Sequence, residues 1–305
     1  MKTEDELDAQ GLFEARYTAY LETVVHLRPR LHRYCARMTG SVLDGEDVMQ
    51  ETLFEAYRKL DSFDDSRALS PWLFRIAHNR CIDFLRKREV PHAEAAVADA
   101  GSVDPVEPPA WGLGRAVERL VIALPPMERG CVLLKDVFDH SLEEIAELVE
   151  STVGGVKAAL SRGRGKLATL SDAPDATPAA RPETERLLRL YVERFNQRDW
   201  EGVRELASAD ARLRVADCFA GRLADSPYFI EYERAEIAWR LELGEVDGER
   251  VVIVLRDLGQ GLTPAGAVRL QVVGEHIERI TDYVKCPWLL PASESFAVSS
   301  SGRDT

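Results

Sequence analysis

The sequence predicts a multidomain chain, all-α to about Leu170 and α+β beyond it. Three observations carry this reading. Through the first half, apolar residues recur at three- and four-residue spacing, as amphipathic helices require. From Ala235 the apolar period falls to two, the signature of strands with one covered face. Pro91–Pro109 and Ser171–Pro182 show neither period, and their proline, alanine and acidic residues mark them as linkers. The predicted organisation is one helical domain over 11–92, a linker over 93–112 and a second helical domain over 113–171. A linker over 172–182, an α+β domain over 183–291 and a disordered tail over 292–305 follow.

A chain of 305 residues holds two or three domains of ordinary size. Its net charge of -13 argues against nucleic acid as a partner until the distribution is seen. Residues 91–110 carry four acids and no base, whereas Ser151–Ser171 carries four bases and no acid. Basic surfaces can therefore exist on an acidic chain. The five cysteines are scattered, without a CxxC or a Cys/His cluster, and read as reduced thiols. The six histidines are dispersed too, so neither a metal site nor a cofactor is expected. No apolar run is long enough to span a bilayer. The acidic start MKTEDELDAQ lacks a signal-peptide core, so the expected location is the cytoplasm.

Leu12–Met38 forms one or two helices, with Pro29 a kink or a new start. Arg28, Arg30, Arg33 and Arg37 read as its solvated basic flank. Asp44 is expected to cap the next helix, which runs to about Leu60 with Val48, Phe54, Tyr57 and Leu60 inward. Glu46, Asp47, Gln50 and Glu51 make an acidic ridge on it. Complementing the helix dipole accounts for Glu46 and Asp47. Gln50 and Glu51 extend the ridge into a candidate docking surface for a basic partner.

After the polar loop Asp61–Leu69, Pro71–Arg88 forms a helix with Ser70 as its cap. Leu73, Ile76, Ala77, Cys81, Phe84 and Leu85 share one face. Arg75, Asn79 and Arg86 share the other, with Trp72 at its N-terminal end. That second face suits nucleic acid or is a solvated bundle face, and the helix alone does not decide. Phe63 and Trp72 are stacking platforms or core residues.

A helix-turn-helix follows. Ser141 caps its first helix, with Glu144 completing a capping box. A turn at Glu150–Thr152 leads into a second helix, Val153–Leu170. Val156, Leu160 and Leu167 face inward there, leaving Lys157, Ser161, Arg162, Arg164 and Lys166 outside. Such a helix offers cations to phosphates and polar side chains to base edges. Gly155, Gly163 and Gly165 weaken it by about 1 kcal/mol each relative to alanine.

In the last part Glu183–Trp200 is an amphipathic helix, and another starts at Asp199 or Trp200. Arg234–Glu242, Val251–Leu255, Ala267–Val273 and His276–Tyr283 read as strands. Asp217, Arg269, His276, Asp282 and Tyr283 are candidate polar residues of a pocket. Arg269 lies inside or on the solvent face, and His276 reads as a surface turn residue. Spacing fixes no acid–base pair, so no catalytic residue is assigned. The apolar run Cys286–Pro291 docks on another domain or closes its own.

DVMQETLFEAYRKLDSF followed by PWLFRIAHNRCIDFLRKR resembles region 2 of the extracytoplasmic-function sigma factors of bacterial RNA polymerase, over roughly Leu27–Arg88. The resemblance implies that Asp47, Gln50 and Glu51 dock the clamp helices of core RNA polymerase. It implies that Phe63, Trp72, Arg75, Asn79, Arg86 and Lys87 meet the melted proximal promoter element, and that the loop Asp61–Leu69 holds a flipped base. Leu124-Pro125 with Arg129, Ser141-Leu142-x-Glu144-Ile145-Ala146, and Gly154-Gly155-Val156-Lys157 with Arg162 and Arg164 resemble sigma region 4. That implies distal-promoter DNA contacts by Thr152, Lys157, Ser161, Arg162 and Arg164, with the polymerase flap as a further partner. Gly155 departs from the pattern, since most members carry a side chain there. The first linker crosses the polymerase in this family, where its acidity mimics nucleic acid or serves a plain tether.

YVERFNQRDWEGVRELASADARLRVAD, with IERITDYVKCPWLLP, resembles SnoaL-like domains of the nuclear-transport-factor-two-like superfamily, which form a cone with a pocket. Some sigma factors of this group carry such a domain in place of a separate anti-sigma protein. The resemblances together imply all-α sigma regions 2 and 4 followed by an α+β cone-shaped domain. They imply a sigma factor with core RNA polymerase and promoter DNA as partners, regulated in cis through intramolecular contacts of the C-terminal domain, with no separate anti-sigma factor required. Two other readings stand beside it: a DNA-binding regulator sensing a ligand in the pocket, and a SnoaL-type enzyme fused to a DNA-binding unit.

Overall fold

A computed structural model describes residues 4–64, 66, 68–89, 123–169, 182–216 and 218–299, with backbone alone for 4–15 and 89. The chain divides into two units, 1–173 and 174–305. In the first, α1 spans Glu4–Thr39, α2 Val42–Arg58 and α3 Leu69–Glu89. Pro29 sits inside α1 without ending it. The loss of one N–H is tolerated because Leu27, Leu31, Tyr34, Cys35 and Met38 anchor the helix on both sides of it.

Four local expectations are corrected. Ser41, not Asp44, caps α2, its side chain accepting the Asp44 N–H at 3.3 Å. The buried face of α2 therefore runs through Val42, Gly45, Met49, Thr52 and Ala56. Phe54 and Tyr57 fall outside that stripe and are 63% and 45% exposed. α3 begins two residues before Pro71, whose missing N–H lies in the first turn, where no intrahelical partner is due. Of the expected flank of α1, Arg37 is buried and Arg28 pairs with Glu46.

α4 (Pro126–Val132), a π-helical turn (Leu133–Val137), α5 (Leu142–Leu148) and α6 (Val153–Leu167) follow among the described residues of this unit. The two helical parts, expected as separate domains, share one hydrophobic core. Tyr34 of α1 meets Phe74 of α3 and Phe138 after the π turn edge-on, with centroids 5.6 and 5.7 Å apart. The linker expected over 93–112 lies outside the described residues, as does most of the second linker.

In the second unit α7 (Pro182–Asn196) and α8 (Trp200–Glu205) precede the strands β1 (Ala207–Val215), β2 (Phe219–Arg222), β3 (Trp239–Val246), β4 (Glu249–Asp257), β5 (Leu262–Val273), β6 (His276–Asp282) and β7 (Phe296–Val298). α9 (Tyr228–Glu233) follows β2, and α10 (Leu289–Ala292) precedes β7. The sheet order is β2-β1-β6-β5-β4-β3-β7, with β1 and β6 parallel and the other pairs antiparallel. Helices first and a largely antiparallel sheet after is the predicted α+β order. The Asn196 side chain pins α7 to β3 by bonding both the N–H and the C=O of Leu241, at 2.9 and 2.8 Å. Phe195 sits among Trp200, Tyr228, Phe229, Tyr232 and Trp239, so aromatic rings fill the space between helices and sheet.

β1, β2 and α9 carry no clean period and were not anticipated, and β3 starts at Trp239 instead of Arg234. The tail expected to be disordered from 292 instead adds an edge strand: Phe296–Val298 pairs with β3. Asp247 holds its approach by accepting the backbone N–H of Glu294 at 2.7 Å. Leu289 and Leu290 of the apolar run are buried and pack by β5 of their own sheet.

Candidate functional site

α2 presents its polar ridge in an unequal way. Glu51 is exposed and Asp47 and Gln50 are half-buried, while Glu46 is fully buried and leaves the surface. The Glu46 carboxylate accepts from Arg28 at 3.1 Å and from the Gln50 amide at 2.8 Å, and His32 Nε2 stands 3.8 Å away. Burial lowers the His32 pKa, and the facing Glu46 opposes that shift. Glu46 thus fixes the side chain of Gln50 from beneath and is not part of a docking surface itself.

On α3 the two faces separate as the periodicity required. Leu73, Ala77, Cys81 and Leu85 are buried, and Phe84 is partly so. Asn79, Arg86 and Lys87 are exposed. Arg86 makes only a loose pair with Asp83 at 3.7 Å and keeps 72% of its side chain in solvent. The two aromatic candidates differ: Phe63 is a core residue at 8% exposure, and half-buried Trp72 lies on it with centroids 4.8 Å apart. Trp72 and Arg75 line a cleft of about 270 Å³ with His140, Glu144, Glu147 and Leu148 of the second helical part. In the loop Asp61–Leu69, Arg16 donates to the Asp61 carbonyl at 2.8 Å, and Asp65 and Arg67 lie outside the described residues.

The helix-turn-helix has the predicted caps. Ser141 Oγ accepts the Glu144 N–H at 3.1 Å and Glu144 accepts the Ser141 N–H at 2.7 Å. These bonds hold the Glu144 carboxyl below its usual range. Thr152 Oγ1 accepts the Gly155 N–H at 3.0 Å and so caps α6. Lys157 is exposed and Ser161 half-buried. Arg162, Arg164 and Lys166 have intramolecular carboxylate partners, although Arg162 and Lys166 stay half in solvent. Arg162 and Lys166 each stand 2.9 Å from Glu128 of α4, and Arg164 holds Asp136 through two bonds of 3.1 and 2.6 Å. Gly163, expected only to loosen the helix, is buried where a Cβ would come 2.9 Å from Val132. It permits the close approach of α6 to α4 that brings those pairs together.

A buried joint between the two helical parts has no counterpart in the sequence reading. The Arg129 guanidinium donates to the carbonyls of Leu124 and Met38, the first at 3.0 and 3.2 Å. Arg30 donates to the Phe138 carbonyl at 2.9 Å. The Tyr34 hydroxyl and His78 Nδ1 lie 2.8 Å apart, and a Cβ on Gly130 would stand 2.8 Å from the His78 ring. Burial pushes the His78 imidazole down to about 4, so it is neutral here. Arg129 was quoted only as part of a motif, because a lone arginine gives no sign in sequence that its partners are carbonyls.

In the second unit the expected pocket residues scatter. Asp217 lies outside the described residues. Arg269 is on the outer face of the sheet, held by Glu249 at 2.7 and 2.5 Å. His276 is exposed at the start of β6, and alternation puts Tyr283 on the face opposite Asp282. Asp282 alone faces the aromatic interior. One of its oxygens accepts Tyr228 at 2.9 Å and Tyr232 at 2.6 Å, and the other accepts the Val284 N–H at 2.8 Å. Burial raises its pKa against these three donors. The tyrosines escaped the sequence reading because α9 was not recognised. Among the described residues no group of three His, Cys, Asp or Glu is placed to hold a metal, and no helix is long and apolar enough to cross a membrane.

Comparison with known proteins identifies the family of the first unit. Residues 23–90 match the family model Sigma-70 region 2, and residues 114–167 match Sigma-70, region 4. The ECF RNA polymerase sigma factor SigW of Bacillus subtilis is 33% identical over 162 residues, covering 49% of this chain and 87% of that protein. The ECF RNA polymerase sigma factor SigG of Mycobacterium tuberculosis is 30% identical over 213 residues, covering 60% of this chain and 58% of the relative. Among solved structures, a ketosteroid-isomerase-like chain from Kribbella flavida is 28% identical, with a TM-score of 0.27, over 33% of this chain and 76% of its own.

Proposed function

The chain belongs to the ECF sigma factors of RNA polymerase, which direct transcription initiation, and we propose that three surfaces of its first unit divide that work. Asp47, Gln50 and Glu51 dock core polymerase, with Glu46 holding Gln50 in place. Trp72, Arg75, Asn79, Arg86 and Lys87 engage the melted proximal element. The head of α6, with Lys157 and Ser161, enters the major groove of the distal element. The observation that carries this reading is the α3 face: its exposed amide and cations stand on a helix whose other side is locked in the core. Arg162, Arg164 and Lys166 serve α6 by fixing it to α4 and the π turn, and Phe63 serves by backing Trp72.

The joined core of the two helical parts is the resting arrangement, because Arg75 and Trp72 there face Glu144 and Glu147 across the cleft. Promoter binding requires the parts to separate. The C-terminal domain regulates that separation in cis, in the cytoplasm, without a separate anti-sigma factor. It acts as a SnoaL-like module and not as an enzyme; what supports this is that, of the described candidate pocket residues, Asp282 alone faces the interior, held there by Tyr228, Tyr232 and the Val284 N–H. The test is reconstitution with core polymerase and a promoter library, mapping transcript starts for the full chain, for a chain lacking Pro182–Thr305, and for D47K/E51K. Charge reversal should abolish core binding and every specific start. Specific starts surviving it would overturn the docking assignment, and unchanged output from the truncated chain would overturn the regulatory one.

A further inference from the structure

The outer face of the C-terminal sheet carries arginines in register. Arg222 of β2 lies opposite Arg212 of β1, Arg212 lies opposite Arg279 of β6, and Arg279 lies opposite Gln271 of β5. All four side chains are exposed. Cross-strand partners share a face, and Leu213, Ile280 and Leu270 between them point the other way, into the core. Arg214 and Arg269 occupy the next row of the same face, two residues along their strands.

Like charges directly opposite one another destabilise a sheet. The structure relieves this unequally. Arg269 is neutralised by its double bond to Glu249. Arg222 has Asp210 at 3.5 Å, but that carboxylate is 93% exposed and screened by water. Arg212 and Arg279 have no ion pair among the described residues. Three adjacent guanidiniums on strands about 4.8 Å apart thus form a row about 10 Å long with little internal compensation. Every residue of the row is polar, so the row itself offers no apolar anchor of the kind a peptide partner would use. Guanidinium forks match phosphate oxygens.

We propose that this arginine row binds the phosphate backbone of duplex DNA upstream of the distal promoter element. The proposal rests on the assignment of α6 to that element. The 14 residues from 168 to 181 join α6 to α7, and such a length spans at most about 50 Å. A sigma factor seated on its promoter therefore holds the row at high effective concentration near flanking duplex. The contact adds affinity without sequence preference, since it reaches only phosphates.

The test uses the full chain with core polymerase on two fragments of one promoter. The short one ends at the distal element and the long one extends about three helical turns further upstream. The wild type should bind the long fragment about tenfold tighter at moderate salt, with a salt slope steeper by about two to three charges. Arg212→Gln/Arg222→Gln/Arg279→Gln should lose that gain and still bind the short fragment as the wild type does. The matching triple lysine variant, which keeps the charge, should recover most of it. Equal affinities and salt slopes of wild type and glutamine variant on the long fragment would overturn the proposal. An equal loss on both fragments would also overturn it, pointing to an acidic protein segment or a second copy as the occupant. If the wild type makes no specific start even on the short fragment, the sigma assignment itself has failed, an outcome distinct from indifference to upstream DNA.

Discussion

α3 and α6 both look like basic helices, yet the fold treats the cations at the end of α3, Arg86 and Lys87, differently from those along α6. On α3, Arg86 and Lys87 project into solvent, while Arg80 pairs with Glu55 at 3.3 Å and Arg88 with Asp44 at 3.5 Å. On α6, Arg162, Arg164 and Lys166 are turned onto Glu128 and Asp136. The reason is the depth of the apolar stripe. α3 has Leu73, Ala77, Cys81 and Leu85 at full burial, whereas α6 buries only Val156, Ala159, Leu160 and Gly163. A helix with so little apolar surface gains fixation from ion pairs. The contrast shows that a cation on a DNA-reading helix is a candidate contact only after its intramolecular partners are known.

Four measurements would break or sharpen that contrast. The largest effect concerns the joint that holds α4 and α6 against α3. Unfolded histidine takes up its proton near pH 6.5, whereas His78 in the native chain does so only near about 4. The unfolded state therefore binds more protons across that window, and stability falls as pH drops through it, by up to about 3 kcal/mol. His78→Gln should flatten the dependence of thermal unfolding on pH between 6.5 and 4. An unchanged slope would remove His78 from the joint.

Next comes the exposed end of α3. Arg86→Glu with Lys87→Glu should weaken holoenzyme binding to promoter DNA by roughly ten- to a hundredfold near physiological salt and lower the salt slope by about two. Binding of core polymerase should stay as it was. The third effect is on α6. Glu128→Gln leaves Arg162 and Lys166 without their shared carboxylate, and because both cations are half in solvent the loss of stability should be about 1 kcal/mol. DNA affinity should change by less than about twofold. A large gain in affinity at constant melting temperature would mean that these cations belong to DNA after all. The smallest effect is at Lys157, exposed at the head of α6: Lys157→Ala should cost a few-fold in distal-element affinity and about one unit of salt slope.

Legibility varied with how local the determinants were. The capping box of α5, the strict faces of α3 and the switch from period three-to-four to period two could be read because neighbours in sequence decide them. β1 could not, since it is held by the parallel ladder to β6, distant in sequence, and β2 could not, since it pairs only with β1. Phe63 looked like a base-stacking ring until Trp72 was found lying on it. Asp282 was visible as a polar residue, but its character depends on Tyr228 and Tyr232, more than 45 positions away.

The residues by themselves determined the helical and α+β parts, the helix-turn-helix with its caps, and the motifs of sigma regions 2 and 4. Periodicity, capping chemistry and motif spacing are properties of short stretches. Tertiary structure alone decided which of those polar groups remain available. It buried Glu46 under Gln50, turned Arg162 and Arg164 onto carboxylates of neighbouring elements, and fused two expected domains around Tyr34, Phe74 and Phe138. It also aligned Arg279 with Arg212 and Arg222, from which it is distant in sequence. Register between strands and partners across a core arise from packing of the whole chain, and no local window contains that information.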